Sequence, residues 1–180
     1  MKEIIISILP YLVLISHVIL AFLFVAVIFR RSWGGVVVNF VGRSSLALSV
    51  LVTLGLVLGS LFYSEVVGYE ACVLCWWQRV LLYPQLLLFI VAWWKKDAGI
   101  FVYTVGLTAI ASVIALYQSY ANWGGASLLP CTAEGGACSK VYVMEFGYIT
   151  IPAMALTAIL YLLLITWINR IYRKNENSNA

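Results

Sequence analysis

Residues 72–96 read CVLCWWQRVLLYPQLLLFIVAWWKK, and this stretch decides the fold. Between Trp76-Trp77 and Trp93-Trp94 the residues are overwhelmingly apolar, and the two pairs lie about 17 residues apart, or ~25 Å along a helix. Indole rings favour the headgroup level of a bilayer, so the pairs mark the two interfaces crossed by one transmembrane helix. Pro84 in its interior predicts a local kink.

Working outward, four more long apolar runs appear, at residues 4–29, 46–64, 98–120 and 148–168, alongside 76–94. Each supplies the roughly 20 residues that cross about 30 Å of hydrocarbon as a helix. Backbone groups in lipid must satisfy one another, and the runs lack the alternation of a membrane barrel, so helices are the reading. Composition agrees: of 180 residues, 64% are hydrophobic and 10% charged, and the mean hydropathy is +1.02. A soluble fold would need a core larger than this chain can enclose. The formal net charge of +4 is no nucleic-acid signal, because the basic residues are spread through short loops. The first run is too long for a signal-peptide core and ends in Phe29-Arg30-Arg31 rather than a small-residue cleavage site, so it is expected to be a retained helix. No internal repeat and no soluble domain are evident.

Orientation follows from Lys and Arg in short loops. Arg30, Arg31 and Arg43 separate runs one and two, Lys95 and Lys96 separate three and four, and Arg170, Arg173 and Lys174 follow run five. For a five-span path these segments share one side, which is expected to be cytoplasmic. The other side receives the N-terminus, residues 64–75 and the loop 121–147, with Glu3, Glu65, Glu70, Glu134 and Glu145. The linker 95–99 is so short that runs three and four must form a tight antiparallel hairpin.

All four cysteines then fall on the extracytoplasmic side, although the topology used none of them. They form two pairs, Cys72 with Cys75 and Cys131 with Cys138 across a glycine-rich segment. Three chemistries compete for them. A structural zinc site is disfavoured by the loose spacing of the second pair and by an oxidising compartment. Two inert disulfides are the plainer alternative, but a bridge across two residues closes so small a ring that it restrains little chain entropy. A redox centre suits that spacing better. Cys75 lies at the start of a helix, where unpaired N–H groups and the dipole favour a thiolate. Arg79 is one turn further along the same face. Its guanidinium either snorkels to the interface or stands beside the Cys75 thiolate and a reducible carbonyl compound, and the second is preferred. The loop pair lies among Gly124-Gly125, Pro130 and Gly135-Gly136, in a segment suited to presentation to another protein.

The segment Cys72-Val-Leu-Cys75-Trp-Trp-Gln78-Arg79-Val80 resembles the CxxC-x2-[EQ]-R segment of the DsbB family of disulfide-forming oxidases. The stretch Cys138-Ser-Lys-Val-Tyr-Val-Met-Glu-Phe-Gly-Tyr-Ile-Thr-Ile-Pro152 is similar to the BdbC-type branch, and the resemblance covers about residues 46–168. It implies a DsbB-like four-helix transmembrane bundle over 46–168. With the first run and the loop charges, the expectation is an all-α membrane protein in which an extra N-terminal transmembrane helix and cytoplasmic linker (1–45) precede that bundle and a cytoplasmic tail (169–180) follows it. The resemblance further implies a bacterial cell membrane, a quinone cofactor (ubiquinone or menaquinone) and a DsbA-like thioredoxin-fold partner. By the same resemblance Cys131 is attacked by the partner's thiolate, and Cys138 then attacks Cys72. Cys75 donates the electron pair to the quinone, and Arg79 helps to hold it. The order of the cysteine pairs separates this pattern from the vitamin K epoxide reductase family, where the CxxC follows the loop pair. The alternatives are a membrane adaptor with static disulfides and a transmembrane thiol electron carrier.

Two features depart from the family pattern. The first run has no counterpart in the four-helix core. Where relatives often carry a histidine near the outer end of the third family helix, this chain reads Leu116-Tyr-Gln118-Ser-Tyr120. Gln118 could offer a polar contact to a quinone oxygen but no titrating proton, and it is not taken as a site residue. The single histidine, His17, lies near the middle of the extra run and is expected to dock it, as a neutral imidazole, onto a neighbouring helix.

Overall fold

The computed structural model describes residues 2–125 and 141–179. Within them the chain forms six α-helices and no strand: α1 (Lys2–Ile28), α2 (Gly34–Arg43), α3 (Ser45–Leu61), α4 (Val73–Lys95), α5 (Phe101–Asn122) and α6 (Ile151–Asn179). Five segments are long and apolar enough to span a bilayer: Ile5–Ile28, Ser45–Val67, Val73–Lys95, Ala98–Asn122 and Ile151–Asn177. The expected bundle with one extra N-terminal helix is therefore present, as a multi-pass membrane protein. The last span starts at Ile151 rather than residue 148, because Glu145 and Ile149 first close a small antiparallel hairpin. Phe146 and Gly147 take positive φ at its tip, 52° and 75°.

α6 is the central helix, packed on α5, α3, α2 and α1. Lipid tails are as apolar as leucine, so hydrophobicity does not drive these contacts; packing and interhelical hydrogen bonds do. Near the α2 end the core gathers Val27, Val38, Val41, Phe89, Phe101, Leu162, Ile165 and Ile168. Asn169 Nδ2 donates to Ser45 Oγ across 2.7 Å there, tying α6 to α3. In mid-bundle, Thr108 Oγ1 lies 2.9 Å from Gln85 Oε1, and Gln85 Nε2 donates to the Leu81 carbonyl at 3.0 Å. α4 runs as one helix through Pro84. It ends at Lys96 in the left-handed region, and Asp97 caps the turn that leads into α5, so the tight hairpin is confirmed.

α2 was not anticipated: residues 30–45 read as a linker. Its sequence, GGVVVNFVGR, is rich in glycine and β-branched valine, both poor helix formers. Packing supplies what propensity lacks. Gly42 lies so close to α6 that an added Cβ would stand 2.5 Å from Tyr172 Cβ, and at Gly34 one would collide with the Ala26 carbonyl of α1. At this end Arg30, Arg31, Arg170 and Lys174 surround one concavity.

α1 leans on α6 and on the 145–149 hairpin. His17 Nε2 lies 2.8 Å from Thr157 Oγ1, and Tyr148 Oη lies 3.3 Å from His17 Nδ1. Because the Thr157 hydroxyl donates to the Ala153 carbonyl (2.9 Å), it accepts from Nε2–H of His17. The imidazole thus docks α1 onto α6 and the hairpin, the docking role expected from sequence. Tyr161 Oη donates to the Ser16 carbonyl one residue earlier. At about 0.6 kcal/mol each, such bonds set register more than they supply stability.

Candidate redox site

The site is assembled where α3 ends and α4 begins. α3 runs on into a π-helical turn, Phe62–Val67, which stops at Gly68 in the left-handed region (φ 88°). The chain then extends to Cys72, whose φ of −70° and ψ of 167° make it the N-cap of α4. Trp76 N–H donates to the Cys72 carbonyl at 3.1 Å, closing the first turn. A cap residue and the residue three later lie above one another, so the two side chains converge. Cys72 Sγ donates to Cys75 Sγ at 3.2 Å, a dithiol with its sulfurs in contact; a disulfide would need about 2.05 Å. Cys72 is buried and Cys75 half-buried.

Gln118, from the last turn of α5, completes the pair. Its Nε2 lies 3.1 Å from Cys72 Sγ and 3.3 Å from Cys75 Sγ, and the side chain is 1% exposed. Gln78, one turn after Cys75, donates through Nε2 to Gln118 Oε1, so the amide hydrogens of Gln118 are turned toward the sulfurs. An amide donor held there stabilises negative charge on whichever sulfur carries it. Sequence reasoning set Gln118 aside and gave Gln78 no role. Their chemistry depends on a contact across 40 residues that no local spacing reveals.

Arg79 also sits here, but its guanidinium reaches across to α3. Nε donates to Ser60 Oγ (3.2 Å) and Nη2 to the Ser60 carbonyl (3.4 Å). The Trp76 and Tyr83 rings lie 5.1 and 6.0 Å from the guanidinium carbon. These contacts satisfy a cation near the membrane boundary, and they hold it on the wall of the cavity that Cys75 faces.

Two spaces flank the dithiol. A small cleft of about 80 Å³ is lined by Cys72 and Cys75 with Ser60, Ser64, Glu70, Asn122 and Tyr142. A larger cavity of about 320 Å³ is lined by Cys75, Gln78, Arg79 and Gln118 at one end and by apolar side chains beyond, and Cys72 is not on its wall. The two sulfurs therefore differ in what they face: Cys75 borders both spaces and Cys72 only the cleft.

Cys131 and Cys138 lie outside the described residues. The segments that flank their loop, however, are fixed beside Cys72. Tyr142 stacks on Tyr69 (4.6 Å between ring centres), Tyr69 stacks on Tyr63, and the Trp123 indole donates to the Tyr148 carbonyl at 2.9 Å. Asn122 and Tyr142, before and after the loop, both line the cleft that holds Cys72.

Residues 42–169 match the family described as disulfide bond formation protein DsbB. The match takes in α3 to α6 up to Asn169 and leaves out α1 and most of α2. A probable disulfide formation protein of Metapseudomonas resinovorans is 35% identical over 127 residues, covering 69% of this chain and 88% of the relative. Disulfide bond formation protein C of Bacillus subtilis is 35% identical over 118 residues, 64% of this chain and 85% of the relative. The SPbeta prophage-derived disulfide bond formation protein B of the same organism is 36% identical over 98 residues, 54% of this chain and 66% of the relative. No solved structure matches the chain significantly. The chain thus belongs to the DsbB family of disulfide bond formation proteins.

Proposed function

We propose that this protein is a membrane thiol oxidase that reoxidises a DsbA-like thioredoxin-fold dithiol partner and delivers the electron pair to a quinone. The observation that carries the reading is the asymmetry of the dithiol. Cys72 faces only the cleft at the loop's base, while Cys75 also borders an apolar cavity. A thiolate of the partner attacks the Cys131–Cys138 disulfide at Cys131, forming a mixed disulfide and releasing the Cys138 thiolate. The partner's second thiolate then resolves the mixed disulfide, leaving the partner oxidised and the loop pair reduced. The Cys138 thiolate attacks Cys72 Sγ of the oxidised Cys72–Cys75 bridge, breaking the S–S bond and leaving the electron pair on Cys75. Attack by the Cys131 thiolate on Cys138 restores the loop disulfide and frees Cys72. Gln118 donates to the sulfurs throughout, and the Cys75 thiolate is presented to the cavity.

The cavity fits a quinone in size and lining. Its walls are mostly aliphatic, and its polar end holds Arg79, Ser60 and Gln118. The Tyr83 hydroxyl, on the same wall, is buried with no hydrogen-bond partner among the described residues, as a donor awaiting a carbonyl oxygen would be. Arg79 and Tyr83 would hold the quinone's oxygens. The quinone supplies a two-electron, two-proton acceptor. The same reading puts the Cys72 end outside the cell membrane. It draws support from the cluster of Arg30, Arg31, Arg170 and Lys174 at the end of the bundle where α2 lies.

Thiol trapping in quinone-depleted proteoliposomes tests the reading. Adding a reduced thioredoxin-fold dithiol protein should convert Cys72–Cys75 from disulfide to dithiol, and adding quinone should return it. A pair that stays unchanged in both steps overturns the proposal.

A further inference from the structure

The family match begins at residue 42, yet the cavity beside Cys75 extends beyond the family core. Leu9, Leu12, Val13 and Ser16 of α1 form part of its wall, facing Leu51, Gly55 and Gly59 of α3. Its amide and guanidinium groups cluster at the Ser60 end, while the hydroxyls of Ser16, Thr157 and Tyr161 further along are spent on the Val13, Ala153 and Ser16 carbonyls. From Ser60 to Leu51 the α3 wall runs about nine residues, or ~13 Å, and apart from the two glycines it is aliphatic. Small residues at the spacing of Gly55 and Gly59 usually let two membrane helices touch. Here a Cβ added at either glycine would meet nothing within 4 Å, so the glycines widen a space instead of closing a contact. α1 is held across this space by the His17–Thr157, Tyr148–His17 and Tyr161–Ser16 hydrogen bonds. They fall within one turn of Val13 and Ser16. The cavity is therefore a polar head at the cysteine continuous with an apolar shaft whose outer wall is α1.

Resting on the acceptor reading above, we propose that the shaft holds the first prenyl units of the quinone's tail, and that α1 is the added wall that retains them. A ring alone fills the polar end and leaves the shaft over. A tail in open lipid gains no hydrophobic free energy by moving onto protein, so the benefit of a fitted wall is dispersion contact and slower exchange with the bilayer. α1 thus makes the chain discriminate between quinones by their tails, a property the four-helix core would lack.

The test compares release of a long-tailed quinone and of its ring-only analogue from full-length protein in nanodiscs of one synthetic phosphatidylcholine. Quenching of tryptophan fluorescence follows release, and quinone extracted from the purified protein is quantified as well. Wild type should release the tailed form on the order of tenfold more slowly, since such differences reside mainly in the off-rate. Gly55→Leu and Val13→Phe, which fill the shaft from opposite walls, should bring the two rates together and lower the co-purified quinone. The double variant His17→Ala/Tyr161→Phe, which unpins α1, should act in the same direction, with thermal melting confirming that each variant is folded. Slow release of the tailed form persisting in all three variants overturns the inference and leaves the acceptor reading standing. Equal release rates in wild type also overturn it, the shaft then being filled by lipid. Wild type that binds neither compound overturns both.

Discussion

The two spaces on either side of the dithiol differ in size, polarity and in which sulfur they meet. The cleft is small and edged by Ser64, Glu70, Asn122 and Tyr142, and it reaches both cysteines. The cavity is larger and mostly aliphatic, and it reaches only Cys75. A three-residue separation at a helix start is too short to move electrons any distance; what it does is turn two adjacent sulfurs toward different surroundings. Direction in the proposed relay comes from that difference and not from the cysteines' spacing alone.

Removing the sulfur that both spaces share should have the largest effect. Cys75→Ser should lower quinone-linked turnover by at least ~10³-fold, as loss of a covalent reaction partner does, while Cys72 still forms a trappable mixed disulfide with the loop. Multiple-turnover assays and non-reducing electrophoresis read the two halves separately. Arg79 lines both spaces, but the Tyr83 ring beside its guanidinium borders only the cavity, and Arg79→Ala tests the role proposed for it there. Losing charged hydrogen bonds worth about 1.5–3 kcal/mol should weaken quinone use roughly 10- to 100-fold. Single-turnover oxidation of the partner should change far less, and equal losses in both halves would erase the proposed distinction. Gln118→Leu should instead slow both halves together, by about tenfold, because its amide touches both sulfurs. An effect confined to one half would assign Gln118 to that side. Asn169→Leu, at the far end of the bundle, should lower thermal stability by about 1 kcal/mol and leave rates unaltered.

The five spans were legible because a bilayer imposes length and apolarity on each helix by itself, with no need to know its neighbours. The residues 72–96 show this most clearly, with tryptophan pairs at both ends of the span and exposed where they should meet an interface. The helix α2 was illegible for the opposite reason: Gly34 and Gly42 read as breakers, and only the surfaces of α1 and α6 turn them into contact points. Cys72, Cys75 and Arg79 could be placed together because they share two turns of one helix. Gln118 could not, since its orientation is set by Gln78 on another helix. Nor could α1 be read as a cavity wall. A helix that is apolar on every face carries no stripe to show which face lipid covers and which a ligand covers.

Residue-resolved labelling tests the central asymmetry most directly. Reduced protein in proteoliposomes would be treated with a membrane-impermeant maleimide or with a maleimide confined to the bilayer, and the modification at Cys72 and Cys75 quantified by peptide mass spectrometry. The account predicts that the bilayer-confined probe modifies Cys75 and spares Cys72, and that added quinone protects Cys75. Equal modification of the two cysteines by that probe, or faster modification of Cys72, would contradict it.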